Sequence, residues 1–313
     1  MDAREQPLVS VIALSYNHAF YIKEALESVF SQTYQNVEII IVDDFSNDKS
    51  SDTIRTLIEG RNIRFIQNEQ NIGNCKSFNA AYKLSKGKYI IDFALDDVMY
   101  PNRIEKQVAL FETMPDAVGV VFANVNIIDE ENKILYTHYP RHHHPLHTEE
   151  IPVGNVFEAL LSRYYINPVS MMFRREVLDQ LNGYDESLSY EDFDFWIRSS
   201  RIVEYRYLPE IVSAKRVVTS SLSSLFYKKN QAAMFESTLQ VCKKAWWLCS
   251  TKKEIRALVQ RCRYEAKQAH KFGYTSIVEE YLKILKETDP VYYLYNPFIR
   301  IFLGIKSIKN PAK

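Results

Sequence analysis

The chain has 313 residues with 39 Lys+Arg and 39 Asp+Glu, but its zero net charge conceals a split: residues 1–242 hold 24 basic and 33 acidic side chains (net −9), and residues 243–313 hold 15 and 6 (net +9). With 46% hydrophobic and 25% charged residues it lies outside the composition of disordered chains, and only 8 glycines exclude a collagen-like or glycine-linker architecture. No apolar run is long enough for a membrane-spanning helix, and the charge asymmetry points to an anionic partner for the C-terminal part.

Leu8–Leu14 and Val37–Val42 are short β-branched runs bounded by polar residues, the pattern of buried parallel strands. Between them Ile22, Ala25, Leu26, Val29 and Phe30 recur at helical spacing. A helix near Asp48–Glu59, a strand at Ile63–Ile66, a helix near Asn74–Lys86 and a strand at Tyr89–Phe93 complete a βαβαβαβ pattern. That alternation predicts an α/β fold with a mostly parallel sheet flanked by helices. Pro101 is expected to open the next helix, where a missing N–H costs nothing. A strand at Val118–Phe122, a hairpin around Glu130–Asn132 and a polar loop holding five of the seven histidines come next. Residues 169–216 mix strands and short helices, and from about residue 226 the pattern is helical with Lys-rich faces. The polar start, Met1–Pro7, runs straight into a strand and reads as no secretory leader. Cys75, Cys242, Cys249 and Cys262 lack paired spacing and read as reduced thiols of a cytosolic protein rather than a zinc site.

In a parallel sheet, ligands bind beyond the carboxyl ends of the strands. There the sequence places Ser15-Tyr16-Asn17, Asp43-Asp44 and Asp96-Asp97. Four carboxylates on one edge are costly unless a cation or a donor-rich ligand neutralises them. The first βα turn has neither a dinucleotide fingerprint nor a P-loop, so a phosphate must be held otherwise. A divalent metal on Asp96 or Asp97 would serve, because Mg²⁺ and Mn²⁺ favour carboxylate plus phosphate oxygens. The other reading of each acidic pair is a helix N-cap.

Five segments in order, Val9–Asn17 (VSVIALSYN), Glu38–Asp48 (EIIIVDDFSND), Asn71–Gly73 (NIG), Gly87–Pro101 (GKYIIDFALDDVMYP) and Glu191–Arg198 (EDFDFWIR), resemble family-two inverting glycosyltransferases of the GT-A fold. The resemblance spans residues 7–216. It implies a Rossmann-like GT-A domain at 1–225, with a nucleotide-sugar-binding half at about 1–110 and an acceptor-binding half at about 111–225. The remaining 226–313 would be a basic helical extension. By the same resemblance Ser15, Tyr16 and Asn17 hold the nucleotide, Asp44 accepts from a uracil N3–H, and Asp43 shapes its loop. Asp96 and Asp97 match the metal motif, although Ala94 stands where the family's first acid is usual; Asp92, two residues earlier, reads as structural by strand alternation. Asp192, with Glu191 beside it, matches the general base of inverting transfer. Arg216 and Lys76 are candidate phosphate partners, and Val218 replaces a histidine common in relatives. The cofactor implied is Mn²⁺ or Mg²⁺. The partners implied are a nucleotide-sugar donor, with a UDP-sugar first among them, and a glycan or lipid-linked acceptor in bacterial surface polysaccharide assembly.

The segment from Val291, VYYLYNPFIRIFLGIKSIKNPAK, has the composition of an interfacial helix on an anionic leaflet, which would make the protein cytoplasmic and peripheral on the inner membrane. Packing on the catalytic domain or across a homodimer is the other reading, and nucleic acid is not an expected partner. Two further classes stay open: a non-catalytic nucleotide-sugar-binding module and a membrane-recruited interaction protein. Gln260–Tyr264 superficially resembles a processive-synthase signature but falls in the uncovered helical region and reads as coincidence.

Overall fold

The computed structural model describes residues 6–140, 151–218 and 230–290. Most of the histidine-rich loop and the segment from Val291 therefore lie outside the described residues. The chain divides into two compact units, one of Met1–Val156 with Tyr165–Ser224 and one of Phe157–Tyr164 with Leu225–Lys313.

In the first unit β1 (Val9–Ser15), α1 (Ile22–Phe30), β2 (Val37–Asp43), α2 (Ser50–Ile58), β3 (Arg64–Gln67), α3 (Asn74–Tyr82) and β4 (Tyr89–Ala94) alternate as the apolar periodicity requires. After them come β5 (Val98–Met99), α4 (Arg103–Thr113), β6 (Val118–Ile128), β7 (Ile134–Thr137), β8 (Met172–Arg174), α6 (Arg175–Leu181), α7 (Asp192–Ser199) and β9 (Glu204–Arg216), with α5 (Phe157–Ser162) belonging to the other unit. Among the described residues the strands form one sheet in the order β3-β2-β1-β4-β8-β6-β9-β5, with β7 also on β6. The long pairings, β3-β2-β1-β4 and β6-β9, are parallel, and the short ones are antiparallel.

All seven residues of β1 are buried, as a central strand covered on both faces demands. Val11, Ala13, Ile91 and Phe93 of the central strands pack with Leu26 and Phe111 in one core. The antiparallel β4–β8 pairing covers only Tyr89 and Ile90, so Asp92, further along β4, has no β8 residue opposite it. Two differences from the sequence-based expectation have local causes. Pro101 lies in a turn whose carbonyl accepts from Thr33 N–H at 2.8 Å, and α4 starts at Arg103 instead. β6 runs on to Ile128 because Asn124 and Asn126 are buried with partners: Asn124 bonds the Tyr139 backbone, and Asn126 bonds the Tyr100 and Thr137 hydroxyls.

In the second unit α8 (Ala232–Leu248), α9 (Lys252–Lys271) and α10 (Thr275–Thr288) pack together. Thr251 and Glu254 form a capping box that starts α9. The Gln260–Tyr264 stretch lies on this helix, and its Arg261 is structural. Its Nε donates to the Leu161 carbonyl of α5 at 3.0 Å, and its Nη1 donates to Glu265 Oε1 at 3.3 Å. No helix among the described residues is long and apolar enough to cross a membrane.

Candidate active site

The turns after β1 and β2 are tied to each other. Asn17 adopts φ 58°, and from there its N–H donates to Ser46 Oγ at 2.9 Å while its Oδ1 accepts from Asn47 N–H at 2.9 Å. His18 N–H reaches Ser50 Oγ, and Ala19 N–H reaches Asp48 Oδ2. Asp43 is buried and accepts from Ser46 N–H and Oγ and from Ser51 Oγ (3.1, 2.5 and 2.7 Å), so it holds its own loop. Asp44 accepts from Asn68 Nδ2 at 2.7 Å, Ile72 N–H at 2.9 Å and Gly73 N–H at 2.8 Å. The last N–H points at the carboxylate because Gly73 sits at φ 89°, which favours glycine. Two of these donors use one oxygen and one uses the other, so Asp44 keeps acceptor capacity. Ser15 is buried with its Oγ unpartnered, whereas Tyr16 is exposed. Lys76, on α3, is exposed.

Asp96 and Asp97 come after β4 and are both buried. Burial and the neighbouring Asp96 push the Asp97 carboxyl well above the usual range, against the opposing charges of Lys215 and Arg216. Asp97 Oδ1 accepts from Arg216 N–H at 2.8 Å, and His18 Nε2 stands 3.8 Å from Asp96 Oδ2, with its Nδ1 buried and unpartnered. Two buried, oxygen-bearing like charges are a fitting donor set for a hard divalent cation whose other ligands are phosphate oxygens. No group of three His, Cys, Asp or Glu converges on a metal position among the described residues.

Arg216 is buried beside these acids. Its Nε donates to the Asp96 carbonyl at 2.9 Å, its Nη1 to the Asp129 carbonyl and Asn132 Oδ1, and its Nη2 to Glu24 Oε2 at 2.8 Å. The guanidinium also lies over Tyr21, 4.8 Å from the ring centre. Its donors therefore fix the acidic turn and do not face a ligand.

Glu191 and Asp192 stand at the start of α7 and are half-buried. Asn74, at the start of α3, donates through Nδ2 to Glu191 Oε2 at 2.5 Å, and Phe193 N–H donates to Asp192 Oδ1 at 2.7 Å. Asp92 joins them from β4, accepting from Tyr184 Oη at 3.1 Å. Burial, then the charges of Asp92 and Asp192, pushes Glu191 up to about 8. Burial pushes Asp92 up to about 7, partly opposed by the Tyr184 hydroxyl, with the Asp192 charge adding to the rise. Asp192 is also raised by burial, and Lys215 is among the groups that oppose the rise. A carboxyl held high by burial is suited to exchanging a proton near neutral pH. The α3 N-terminus serves both acid pairs, with Gly73 N–H on Asp44 and the Asn74 side chain on Glu191.

Asn74 and Tyr184 are members of this region with no signal of their own in the sequence motifs. Asp92, a structural residue by strand alternation, stands instead beside Glu191 and Asp192, a place opened by the early end of the β4–β8 pairing.

The family model for glycosyl transferase family 2 matches residues 10–181, more than half of the chain, and the protein belongs to that family. It is 32% identical over 213 residues to an uncharacterised glycosyltransferase of Rickettsia prowazekii, covering 67% of this chain and 64% of the relative. It is 34% identical over 198 residues to one of Methanocaldococcus jannaschii, covering 62% and 65%. The chain spans from 33% to 64% of the length of the first curated relatives it matches. Among solved structures, Staphylococcus aureus TarS 1-349 in complex with UDP superposes with a TM-score of 0.67 at 16% identity, over 95% of this chain and 87% of that one. The mannosyltransferase PcManGT of Pyrobaculum calidifontis, in complex with GDP-Man and Mn²⁺, gives 0.60 at 16% identity over 97% and 87%. The fold is thus the GT-A arrangement of a mostly parallel sheet flanked by helices, with further helices at the C-terminal end.

Proposed function

We propose that the protein is an inverting glycosyltransferase that moves a sugar from a nucleoside diphosphate sugar to a hydroxyl of a glycan or lipid-linked acceptor. The observation that carries this reading is the presence, in a family-2 chain, of two acid pairs with different surroundings, one buried and one half-buried. Asp96-Asp97 calls for a cation, and Glu191-Asp192 has raised carboxyls.

Asp192 takes the proton of the acceptor hydroxyl as that oxygen bonds to the anomeric carbon. The bond from that carbon to the diphosphate breaks on the opposite side, and the nucleoside diphosphate leaves with the electron pair. Glu191 and Asp92, whose carboxyls are themselves held high, stand beside Asp192. Asp44 offers its remaining acceptor capacity to the base, and Ser15, Tyr16 and Asn17 line the nucleotide with Asp43 holding their loop. Asp96 and Asp97 would hold Mn²⁺ or Mg²⁺, which when bound supplies positive charge at the diphosphate. Arg216 acts through the turn it fixes. UDP is the favoured nucleotide because the similar TarS structures carry UDP and UDP-GlcNAc. Residues 1–225 form the catalytic domain and 226–313 a basic helical extension, whose +9 end suits an anionic membrane carrying the acceptor.

A thermal-shift panel of UDP-GlcNAc, UDP-glucose and GDP-mannose with Mn²⁺ tests the reading. A raised Tm with a UDP-sugar, and then UDP release, is expected. If no nucleotide sugar raises Tm and none is turned over, the assignment fails. Binding without any release would favour a non-catalytic nucleotide-sugar module, the reading to which Ala94 in place of the first acid lends support.

A further inference from the structure

The exposed side of α9 carries Lys252, Lys253, Arg256, Lys267 and Lys271, while both acids of that helix are buried. Glu254 is used in the capping box and Glu265 is held by Arg261. Lys253, Arg256, Gln260, Tyr264, Lys267 and Lys271 follow one another at steps of three and four residues, so they form a single ridge. At about 1.5 Å per residue that ridge is about 27 Å long. Lys252, Lys253, Arg256 and Lys267 make no hydrogen bond or ion pair with any described residue, and Lys271 lies over the ring of Phe272.

This pattern does nothing for the helix itself. Lys252 and Lys253 stand in the first turn, where the helix dipole disfavours cations. Lys253 with Arg256, and Lys267 with Lys271, are like-charge neighbours that repel. α10 shows the ordinary arrangement: its exposed Glu279, Lys283, Lys286 and Glu287 mix the signs, and its Glu280 pairs with Lys243 and Lys283. Helix stability therefore accounts for the charges of α10 and not for those of α9. An anionic surface along the ridge would relieve the repulsion.

An aromatic side chain flanks the ridge. Trp247, at the end of α8, is 84% exposed with its ring 5.8 Å from that of Trp246, and a short turn leads from it to Lys252. An indole is placed best where apolar and wet layers meet, as they do at the headgroups of a bilayer. A cleft of about 590 Å³ opens between this turn and the end of α10, lined among others by Ser250, Lys252, Arg256 and Arg263. Arg263 is bonded to Asp289 there, and the chain continues from Pro290 into the apolar and basic sequence that begins at Val291.

We propose that the α9 ridge, with Trp247, is the surface by which the protein docks on an anionic lipid bilayer, its cations meeting headgroup phosphates. A straight ridge meets a flat layer of headgroups along its whole length, and the exposed indole suits that layer better than a nucleic-acid backbone. The proposal gives residues outside the terminal segment to the membrane surface invoked above. It rests on that membrane reading and on none of the donor-site assignments.

The test is co-sedimentation of the full chain with vesicles of phosphatidylcholine and with an equal mixture of phosphatidylcholine and phosphatidylglycerol. Wild type should bind the mixed vesicles and not the neutral ones, and high salt should release it. Lys253→Gln, Arg256→Gln and Lys267→Gln combined should weaken binding about 100-fold, at roughly fivefold per cation removed. Lys253→Arg with Lys267→Arg should keep the affinity, and Trp247→Ala should lower it several-fold. The glutamine variant should match wild type in Tm and in UDP affinity, so failure here and failure of the donor reading are told apart. Neutralising Arg300, Lys306 and Lys309 should cost less than neutralising the ridge. The proposal is overturned if the glutamine variant binds like wild type, or if only the Arg300, Lys306 and Lys309 variant loses binding. It is overturned equally if wild type binds both vesicles alike, or ignores them and binds a nucleic-acid duplex instead.

Discussion

The acid pairs Asp43-Asp44 and Glu191-Asp192 are alike in sequence and opposite in surroundings. Six donors meet the first pair: Ser46 N–H, Ser46 Oγ and Ser51 Oγ on Asp43, and Asn68 Nδ2, Ile72 N–H and Gly73 N–H on Asp44. The second pair has Asn74 Nδ2, Phe193 N–H and the pair's own backbone N–H groups, together with a third acid, Asp92. Donors stabilise a carboxylate as an anion, whereas partial burial raises Glu191 and Asp192, and neighbouring acids raise Glu191 further. The first pair is therefore built to hold loops and read a ligand's donor, while the second is built for chemistry. Nothing in the two dipeptides distinguishes them; the residues downstream of each, and the elements packed against them, do.

The largest test removes the proton acceptor and nothing else. Asp192→Asn keeps the side-chain shape and an oxygen for Phe193 N–H, so folding and UDP affinity should be unchanged. Transfer should fall by about 10²–10⁴, the usual contribution of a general base. Acceptor-dependent UDP release read against UDP affinity separates the two effects. Activity near the wild-type level would assign the base elsewhere.

The reverse behaviour is expected on the other side. Asp44→Ala leaves Asn68, Ile72 and Gly73 without their acceptor, and with water replacing part of it the loss in stability should be about 3 kcal/mol. Asp192→Ala, which deletes a half-buried carboxyl already raised by its surroundings, should cost under about 1 kcal/mol or stabilise. Urea unfolding of both variants measures the contrast. Equal losses would erase the distinction between scaffold acids and chemical acids.

Most of the frame is legible in the chain because buried parallel strands are written as short apolar runs and their carboxyl ends as polar clusters. Hence Ser15, Asp43, Asp44, Asp96 and Asp97 can be placed from the sequence alone. The basic pair shows where legibility stops. Lys215 and Arg216 are equally visible in sequence, but which of them is buried depends on the phase of β9. That phase is set by pairing with β6, whose register shifts between Val118 and Val120 and again around Asn124. Each such irregularity can reverse the faces of the residues beyond it, and no local pattern records it. Asp92 is hidden for a related reason. Alternation along β4 is visible, but the end of β8 pairing at Ile90 and the arrival of Tyr184 are tertiary facts. Phe157–Tyr164 likewise joins the helical unit through a bond from Arg261 to Leu161, 100 residues apart in the chain.

The smallest expected effect is a pH slope that tells the two pairs apart without any substrate. Glu191 is raised from the ordinary 4.5 to about 8 by burial, Asp92 and Asp192, against the hydrogen bonds of its own backbone and Asn74. The folded state therefore holds this proton more tightly than the unfolded chain does. The resulting stability is fully present below about 4.5 and is lost as pH rises toward about 8. Asp92, raised to about 7, adds to the same slope in the same direction. These two acids should thus take stability away between about pH 5 and about pH 8, at up to about 1.4 kcal/mol per pH unit wherever one proton separates the two states, while His138, lowered by burial, contributes in the opposite direction. Glu191→Gln keeps the Asn74 hydrogen bond and removes the proton, so its Tm should vary less across that range and should exceed the wild-type value most clearly at the alkaline end. A Glu191→Gln profile parallel to the wild-type one would mean that Glu191 is already ionised in the folded protein and that the two pairs do not differ as described.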